Sequence, residues 1–330
     1  MKTVETMCDA LISDREIIKN AFKWDSEQFY PVCANLFLTR DKEPDPNALR
    51  ACRDLIKEQT GIFSAFRGNA GLPMICLLSL AEDPAAELEK TLRAHQALRR
   101  RFAASDYLAL AAWALKDMDL SALDVTVDHS RELYDRMRKE HPFLTGSEDT
   151  VFTVLMALTG RNSDALIADM EESYTILKAR FKDSDSIQSV SHILALDQRS
   201  PAEKTARFTA LYDAVIQYGM KYGRGRELAL LAAPALTDTD PAVLAREMLT
   251  AYDRLEGVKG WTGLFGYDRR QRAAHAAMLV SDLYPVMADG SSTLIPQQMA
   301  LNAVIAQQMM MCAAIAASAA ASSAAASSSH

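Results

Sequence analysis

Two kinds of apolar pattern alternate along most of this 330-residue chain. In one, apolar side chains recur at offsets of 4, 4 and 3 residues, as in Leu166, Met170, Tyr174 and Leu177. Such offsets place the side chains on one stripe of a helix. The other pattern is a short run with almost no polar position, as at residues 107–115 (YLALAAWAL). Because a helix without a polar face is a buried helix, the pattern predicts long amphipathic helices alternating with short buried ones.

The alternation recurs with a period close to 40 residues. Tyr134, Tyr174, Tyr212 and Tyr252 each lie in an amphipathic segment, at separations of 40, 38 and 40 residues. Self-similarity at such a period is typical of repeat architectures, whose units share one core. The sequence therefore predicts about six repeated helical hairpins from about residue 47 to 284, preceded by two helices near residues 4–22 and 25–39.

Several of the amphipathic segments begin with the same pair of residues. A capping side chain precedes a proline in Asp83-Pro84, Ser200-Pro201 and Asp240-Pro241. An aspartate or serine oxygen accepts a hydrogen bond from a free N–H group of the first turn, and a proline at the first helical position loses no bond. These pairs predict where the long helices start.

The predicted fold class is all-α, since hairpin dipeptides between alternating apolar runs are absent. Six inner and six outer helices can close into an α/α toroid, whereas an open, curved α-solenoid of helical hairpins fits the same pattern. The short, apolar inner helices favour the closed form, because helices around a central axis have little room. Periodicity alone does not decide between the two.

The repeat crosses the middle of the chain without a linker, which predicts a single all-helical repeat domain over residues 1–289. Residues 290–329 contain no charged side chain. We expect residues 290–330 to form an uncharged C-terminal helix that docks on the domain, followed by an Ala/Ser-rich tail. Membrane contact and self-association through this helix are the alternatives.

Composition restricts the class of partner and the compartment. The net charge of −7 argues against a general nucleic-acid surface. The arginines among residues 93–101 lie in the last turns of a predicted helix, where cations complement the helix dipole. The five cysteines are scattered and form no C-x-x-C motif, and the N-terminus is not a secretory signal. We therefore expect a cytoplasmic protein with reduced thiols.

Sequence motifs for nucleotide, metal or acyl-transfer chemistry are absent. The histidines share no spacing typical of metal ligands. We accordingly predict no cofactor and no metal. The sequence leaves open whether the chain is an enzyme.

Polar side chains recur at the predicted starts of the short helices. The candidate binding residues are Arg67, Asn69, Asp106, Glu148, Asp149 and Arg270. In a repeat, equivalent positions lie at one end of the structure, so these side chains are expected to cluster there. Arg67 is expected to pair with a neighbouring carboxylate or to bind a ligand anion. The alternative is that the carboxylates only cap their own helices.

Five segments together resemble one known family. They are residues 22–24 (FKW), 60–69 (TGIFSAFRGN), 105–112 (SDYLALAA), 141–149 (HPFLTGSED) and the tail sequences IAQQ and AAIAASAAASS. The combination resembles an uncharacterised bacterial family of domains of unknown function, DUF 4003. The resemblance covers nearly the whole chain and implies a bacterial, single-domain protein with this C-terminal tail. It implies no catalytic residue, because the family has no established activity.

Two functional hypotheses follow from the sequence. The first is a helical-repeat binding or scaffold protein that binds a protein or peptide on its concave face. The second is an enzyme or small-molecule-binding protein with its site in the central cavity of a toroid. The repeat and the lack of catalytic motifs favour the first hypothesis, and the count of six hairpins motivates the second.

Overall fold

A computed structural model of the chain describes residues 2–23, 29–220, 222, 225–261 and 267–284. In these ranges the protein forms fourteen α-helices and no strand, which confirms the all-α class. The helices are α1 (Val4–Ala21), α2 (Tyr30–Leu38), α3 (Pro46–Gln59), α4 (Gly71–Ser79), α5 (Pro84–Arg99), α6 (Tyr107–Leu115), α7 (Leu120–Glu140), α8 (Asp149–Leu158), α9 (Ser163–Lys178), α10 (Ser184–Leu194), α11 (Pro201–Gln217), α12 (Ala229–Ala235), α13 (Pro241–Leu255) and α14 (Arg269–Leu283). Short 3-10 helices precede α4 (Ala65–Arg67) and α12 (Arg226–Leu228).

The described residues divide into two compact units. The first unit comprises residues 11–163, and the second comprises residues 2–10 and 164–284. Each unit has its own set of packed long and short helices.

In the first unit, long helices pack on the short helices that follow them. Helix α3 packs on α4, α5 on α6 and α7 on α8. The short helices form the interior: every residue of α2 is buried, as are residues 108–115 of α6. Among themselves, α2 contacts α4 and α6 contacts α8, while α5 contacts α3 and α7 in the outer layer. The alternating apolar pattern is thus explained by an inner layer of apolar helices beneath an outer amphipathic layer.

The second unit is layered in the same way. The buried helix α12 contacts both α10 and α14, and the long helix α11 packs on α13. Helix α14 departs from the sequence prediction. It was expected to be short like the other buried helices, but it spans 15 residues, the same length as α13. Its first turn is polar and stabilised by a capping box between Asp268 and Gln271, so the helix starts ahead of the apolar run from which it was predicted.

The predicted helix starts are confirmed. The Asp83 carboxylate accepts hydrogen bonds from the backbone N–H groups of Ala85 and Ala86 at 3.1 and 3.0 Å. Ser200 and Asp240 cap α11 and α13 in the same way. In each case a proline follows the capping residue, as the sequence pattern indicated.

Two of the four recurring tyrosines pack against a phenylalanine. Tyr134 on α7 meets Phe102 edge to face, with ring centroids 5.7 Å apart. Tyr212 on α11 meets Phe181 in the same way at 5.1 Å. In both pairs the phenylalanine lies in the loop that follows the preceding long helix. At Tyr134 and Tyr212 the recurrence therefore marks a contact between a long helix and the loop that follows the long helix before it.

Lysine and arginine side chains lie at the C-terminal ends of four short helices, where the helix dipole is negative. Backbone carbonyls at the C-terminal ends of α4, α6, α10 and α12 accept hydrogen bonds from lysine or arginine side chains: Lys42 to Leu80, Arg93 to Lys116, Lys204 to Asp197 and Arg207 to Ala235. These cations satisfy carbonyls that have no partner within their helix and complement the negative end of the dipole.

The predicted C-terminal helix and tail (290–330) lie outside the described residues. Over the part of the chain that the structure covers, no helix combines the length and the apolarity needed to cross a membrane. Cys8, Cys33, Cys52 and Cys76 are buried and free of disulfides, and Cys312 falls outside the described ranges.

Candidate functional site

A pocket lined by both polar and apolar side chains lies in the first unit, where the starts of three short helices come together. It has a volume of about 150 Å³ and is lined by residues preceding or opening α4, α6 and α8, together with Phe29 at the start of α2: Phe29, Asn69, Ala70, Pro73, Ser105, Asp106, Tyr107, Leu110 and Ser147. Asn69 and Ser147 are exposed at the mouth, whereas Phe29 and Leu110 are buried at the floor. A cavity of this size holds a group about as large as benzene, well below the 300–1,000 Å³ of pockets for larger ligands.

Asp106 is the charged group of the pocket. It is the residue before α6, but its side chain makes no capping bond to that helix. Instead, its Oδ2 accepts a hydrogen bond of 2.9 Å from the backbone N–H of Asn69, which lies 37 residues earlier in the chain. The capping interpretation therefore does not hold for Asp106. The carboxylate connects the start of one short helix to the loop that precedes another.

Gly68 makes room for this carboxylate. A Cβ atom built on Gly68 would lie 2.7 Å from Cγ of Asp106 and 2.7 Å from its Oδ2, closer than real Cβ contacts. Any other residue at position 68 would therefore displace the Asp106 side chain. The close approach of Gly68 explains why this loop contains a glycine.

Ser105 contributes a buried hydroxyl group to the same pocket. Its Oγ is excluded from solvent and has no hydrogen-bond partner in the described structure. Most buried hydroxyl groups in native proteins are hydrogen-bonded, and an unsatisfied one destabilises the fold by about 1–3 kcal/mol. An orphan hydroxyl group in a pocket wall is a feature that a bound ligand would complete.

The start of α8 forms the third side of the pocket. Asp149 is buried, and its Oδ2 accepts a hydrogen bond of 2.8 Å from the backbone N–H of Gly146. Glu148 is half-buried, and a Cβ on Gly146 would lie 2.8 Å from its Cδ. Gly146 thus accommodates Glu148 as Gly68 accommodates Asp106. Glu148 and Asp149 do not themselves line the pocket, whereas the adjacent Ser147 does.

Two phenylalanines in the flanking loops are almost entirely in solvent. Phe63 is 96% exposed in the loop before α4, and Phe143 is 98% exposed in the loop before α8. These two loops also supply Asn69 and Ser147 to the pocket. Aromatic side chains are enriched where proteins bind partners, and a fully solvated phenyl ring gains free energy when a partner covers it. We refer to residues 60–69, 103–106 and 141–148 as the loop edge.

Arg67 does not pair with a carboxylate, and the expectation that it would is wrong. Its guanidinium group donates hydrogen bonds to the Thr60 hydroxyl oxygen at 3.2 Å and to the backbone carbonyls of Lys57 and Thr60. These acceptors belong to the last turn of α3 and the residue that follows it. The backbone carbonyls at the end of α3 have no partner within the helix, so Arg67 hydrogen-bonds to them. The sequence had suggested this arginine for the site.

Arg270 lies in the second unit. It opens α14 and is paired with Glu227, with 4.0 Å between its Nε and Oε1 of the glutamate. Glu227 precedes α12, and at this distance the two side chains attract each other without a hydrogen bond. Of the six candidate residues, the structure brings Asn69 and Asp106 into the pocket and places Glu148 and Asp149 beside it.

Sequence reasoning missed Ser105, Ser147, Phe63 and Phe143. Ser105 and Ser147 directly precede the candidate carboxylates, which was an available signal. Phe63 follows Ile62 and Phe143 follows Pro142, both in loops. Nothing in the periodic pattern distinguishes these two phenylalanines from core residues. Their exposure depends on how each loop folds.

The basic segment at the end of α5 is engaged within the fold. Arg100 pairs with Asp124 at 2.5 Å and Arg101 with Asp128 at 2.6 Å. Arg99 donates to the backbone carbonyl of Phe102 at 2.6 Å. In the ranges that the structure describes, no group of three or more His, Cys, Asp or Glu side chains is arranged to hold a metal ion.

Comparison with known proteins identifies the family. Curated proteins and solved structures gave no significant match. A family model described as "Protein of unknown function (DUF4003)" matches residues 16–310, which is most of the chain and includes the whole pocket. This match confirms the resemblance drawn from the short sequence segments. The chain belongs to the DUF4003 family of proteins of unknown function.

Proposed function

We propose that the protein is a helical-repeat binding protein that holds a segment of a partner protein at the loop edge. The observation that carries the proposal is the convergence of three helix starts on one pocket with a single carboxylate, flanked by the exposed rings of Phe63 and Phe143. A pocket that takes one side chain, beside apolar anchors that cover the neighbouring residues, is a common arrangement for recognition of a peptide segment.

The geometry favours binding over catalysis. General acid–base or nucleophilic chemistry needs a second reactive group within hydrogen-bonding reach of the first. In the pocket, Asp106 is hydrogen-bonded to a backbone N–H group, and the remaining polar lining consists of serine, asparagine and tyrosine side chains. The volume of about 150 Å³ also suits one side chain better than a cofactor or a sugar.

We further propose that the alternating helices are structural repeats of a toroid or curved solenoid in a bacterial, cytoplasmic protein. The recurrent Phe–Tyr contact and the shared arrangement of capping cations support the repeats. Small-angle scattering separates the two forms. A closed, compact chain of this length has a radius of gyration of about 20 Å. A clearly larger value would assign the open form.

Site-specific photo-crosslinking in the native host tests the binding role. A photo-reactive amino acid at position 63 or 143 is expected to give an adduct of the same mass from both positions. Leu120 and Val125 provide matched controls, because they are 63% and 70% exposed on α7 of the same unit but lie outside the loop edge. Equal adduct yields from the loop edge and the controls, or no adduct from positions 63 and 143, would contradict the proposal.

A further inference from the structure

The pocket also indicates which chemical group of the partner it holds. Resting on the binding role proposed above, we propose that the pocket takes an aliphatic ammonium group, carried on a lysine side chain of the partner, with Asp106 as its counter-ion. The charge of the pocket, the number of its hydrogen-bond acceptors and the shape of the cavity all fit this group.

Asp106 is an acidic helix-start residue of the pocket that the described part of the fold leaves without a counter-ion. It forms no ion pair with any lysine or arginine in the described ranges, and it does not cap its own helix. Arg67, two residues before Asn69, is held by the end of α3, and Arg101, five residues before Asp106, is paired with Asp128. A carboxylate in a partly buried pocket without a counter-ion attracts a cationic ligand.

The acceptors of the pocket match the donors of an ammonium group. A carboxylate has about four lone-pair positions, and Asp106 uses one of them for the N–H of Asn69. The hydroxyl oxygens of Ser105 and Ser147 are further acceptors in the lining, and that of Ser105 has no partner. An ammonium group has three donors and no acceptor. The pocket therefore offers enough acceptors for the three N–H donors of a lysine ammonium group. The lysine would in turn give the Ser105 hydroxyl group a hydrogen-bond partner.

The apolar lining fits the methylene stem of the same side chain. Phe29, Pro73 and Leu110 present carbon atoms to the cavity. Long basic side chains bury their methylene groups against such surfaces while the charged end meets a polar partner. Phe63 and Phe143 lie in the loops on either side and can cover the residues that flank the lysine.

Lysine fits better than arginine for a geometric reason. Arginine binds carboxylates most strongly through two parallel hydrogen bonds to both oxygens. Oδ2 of Asp106 already accepts the N–H of Asn69, and Gly68 packs against the carboxylate. A compact ammonium group can use the remaining lone pairs without this paired geometry.

The test follows the backbone amide of Asn69 by NMR on the full chain. The probes are Nα-acetyl-lysine-N-methylamide, its neutral norleucine analogue, the arginine analogue and butylammonium. We expect the lysine compound to shift the signals of Asn69, Ser105 and Ser147 in the millimolar range, as is usual for so small a ligand. The norleucine compound is expected to cause no shift. Comparable shifts from butylammonium would show that a free amine suffices, and would overturn the assignment to a peptide side chain.

Substitutions separate a charge effect from a structural one. Asp106→Asn keeps an oxygen that can accept the N–H of Asn69 but removes the charge, and it is expected to weaken lysine binding about tenfold or more. Glu89→Gln makes the same change of net charge on the exposed face of α5 and is expected to bind as the unmodified protein does. Unchanged binding by the Asp106→Asn variant, tighter binding of the arginine or norleucine compound, or no shift with the lysine compound would overturn the inference.

These outcomes are independent of the crosslinking experiment. If positions 63 and 143 give a specific adduct while the lysine compound causes no shift, the binding role stands and the ammonium assignment fails. If the lysine compound binds but no adduct forms, the pocket binds a cation and the proposed role at the loop edge fails.

Discussion

The carboxylate of Asp106 occupies the space in which a side chain on Gly68 would lie. A Cβ atom at position 68 would be 2.7 Å from Cγ of Asp106, and the same carboxylate accepts the N–H of Asn69 at 2.9 Å. Residues 68 and 69 thus provide both the room and the hydrogen bond that orient one acidic side chain. Two segments that lie 37 residues apart in the chain are thus hydrogen-bonded and closely packed at the pocket.

Replacing Gly68 should damage this arrangement. In Gly68→Ala the Asp106 side chain must rotate away from the added Cβ and weaken its bond to Asn69, which should lower the free energy of unfolding by about 1 kcal/mol. Urea denaturation measures the change. Gly61→Ala in the same loop is the control, because a Cβ there meets nothing within 4 Å. It should be neutral or raise the free energy of unfolding by up to about 1 kcal/mol. Equal effects of the two substitutions would contradict the packing argument.

Ser105→Ala should not destabilise the protein. The Ser105 hydroxyl group is buried without a partner, so its removal leaves the free energy of unfolding unchanged or raises it by up to about 1 kcal/mol. Ser130→Ala is the matched control, since the buried Ser130 donates a hydrogen bond of 2.7 Å to the carbonyl of Thr126. That substitution should cost about 0.5–1.5 kcal/mol. A large loss in Ser105→Ala would show that the hydroxyl group is structural and would remove it from the site.

Lys204 and Asp169 form a buried ion pair in the second unit. The side chains of Lys204 and Asp169 are 0% and 7% exposed, and Nζ lies 2.6 and 2.8 Å from the two carboxylate oxygens. Lys204→Met would remove the lysine that pairs with this buried carboxylate, so it should lower the free energy of unfolding by about 3–5 kcal/mol. The double variant Lys204→Met with Asp169→Leu should recover most of that loss. A double variant no more stable than the single one would disprove this account.

Asp14 should make stability depend on pH. Burial raises the pKa of this α1 carboxyl group from 3.8 to about 7, with a smaller contribution from the negative charge of Glu43. The native state keeps the proton between these values while the unfolded chain releases it. The contribution of Asp14 to stability is therefore fully present below about pH 4 and is lost as the pH rises through about 7. Over this window the loss is on the order of 2–4 kcal/mol.

The measurement compares the unmodified protein with Asp14→Asn by urea unfolding at several pH values. The variant should gain stability relative to the unmodified protein as the pH rises from about 4 to about 8. Glu89→Gln, an exposed carboxylate on α5, should show no such trend. A constant difference between the unmodified protein and Asp14→Asn would mean that Asp14 titrates normally in the folded state.

Local signals in the sequence predicted much of the secondary structure. The apolar periodicity separated long from short helices except at α14, and Asp83 and Ser200 marked two of the long-helix starts to the residue. Both signals depend on side chains within one turn of each other, so they can be read without knowing the fold. The family membership likewise rests on the chain alone.

The sequence indicated that Asn69 and Asp106 lie just before two short helices, α4 and α6. Only the tertiary structure decided which groups these two residues bind. Asp106 had the appearance of a capping residue, and it instead accepts the N–H of Asn69. Arg67 had the appearance of a site residue, and it binds carbonyls at the end of α3. The physical reason is competition for partners: a short side chain bonds with whichever polar group packing brings within about 3 Å. That choice depends on contacts between distant segments, which periodicity does not encode.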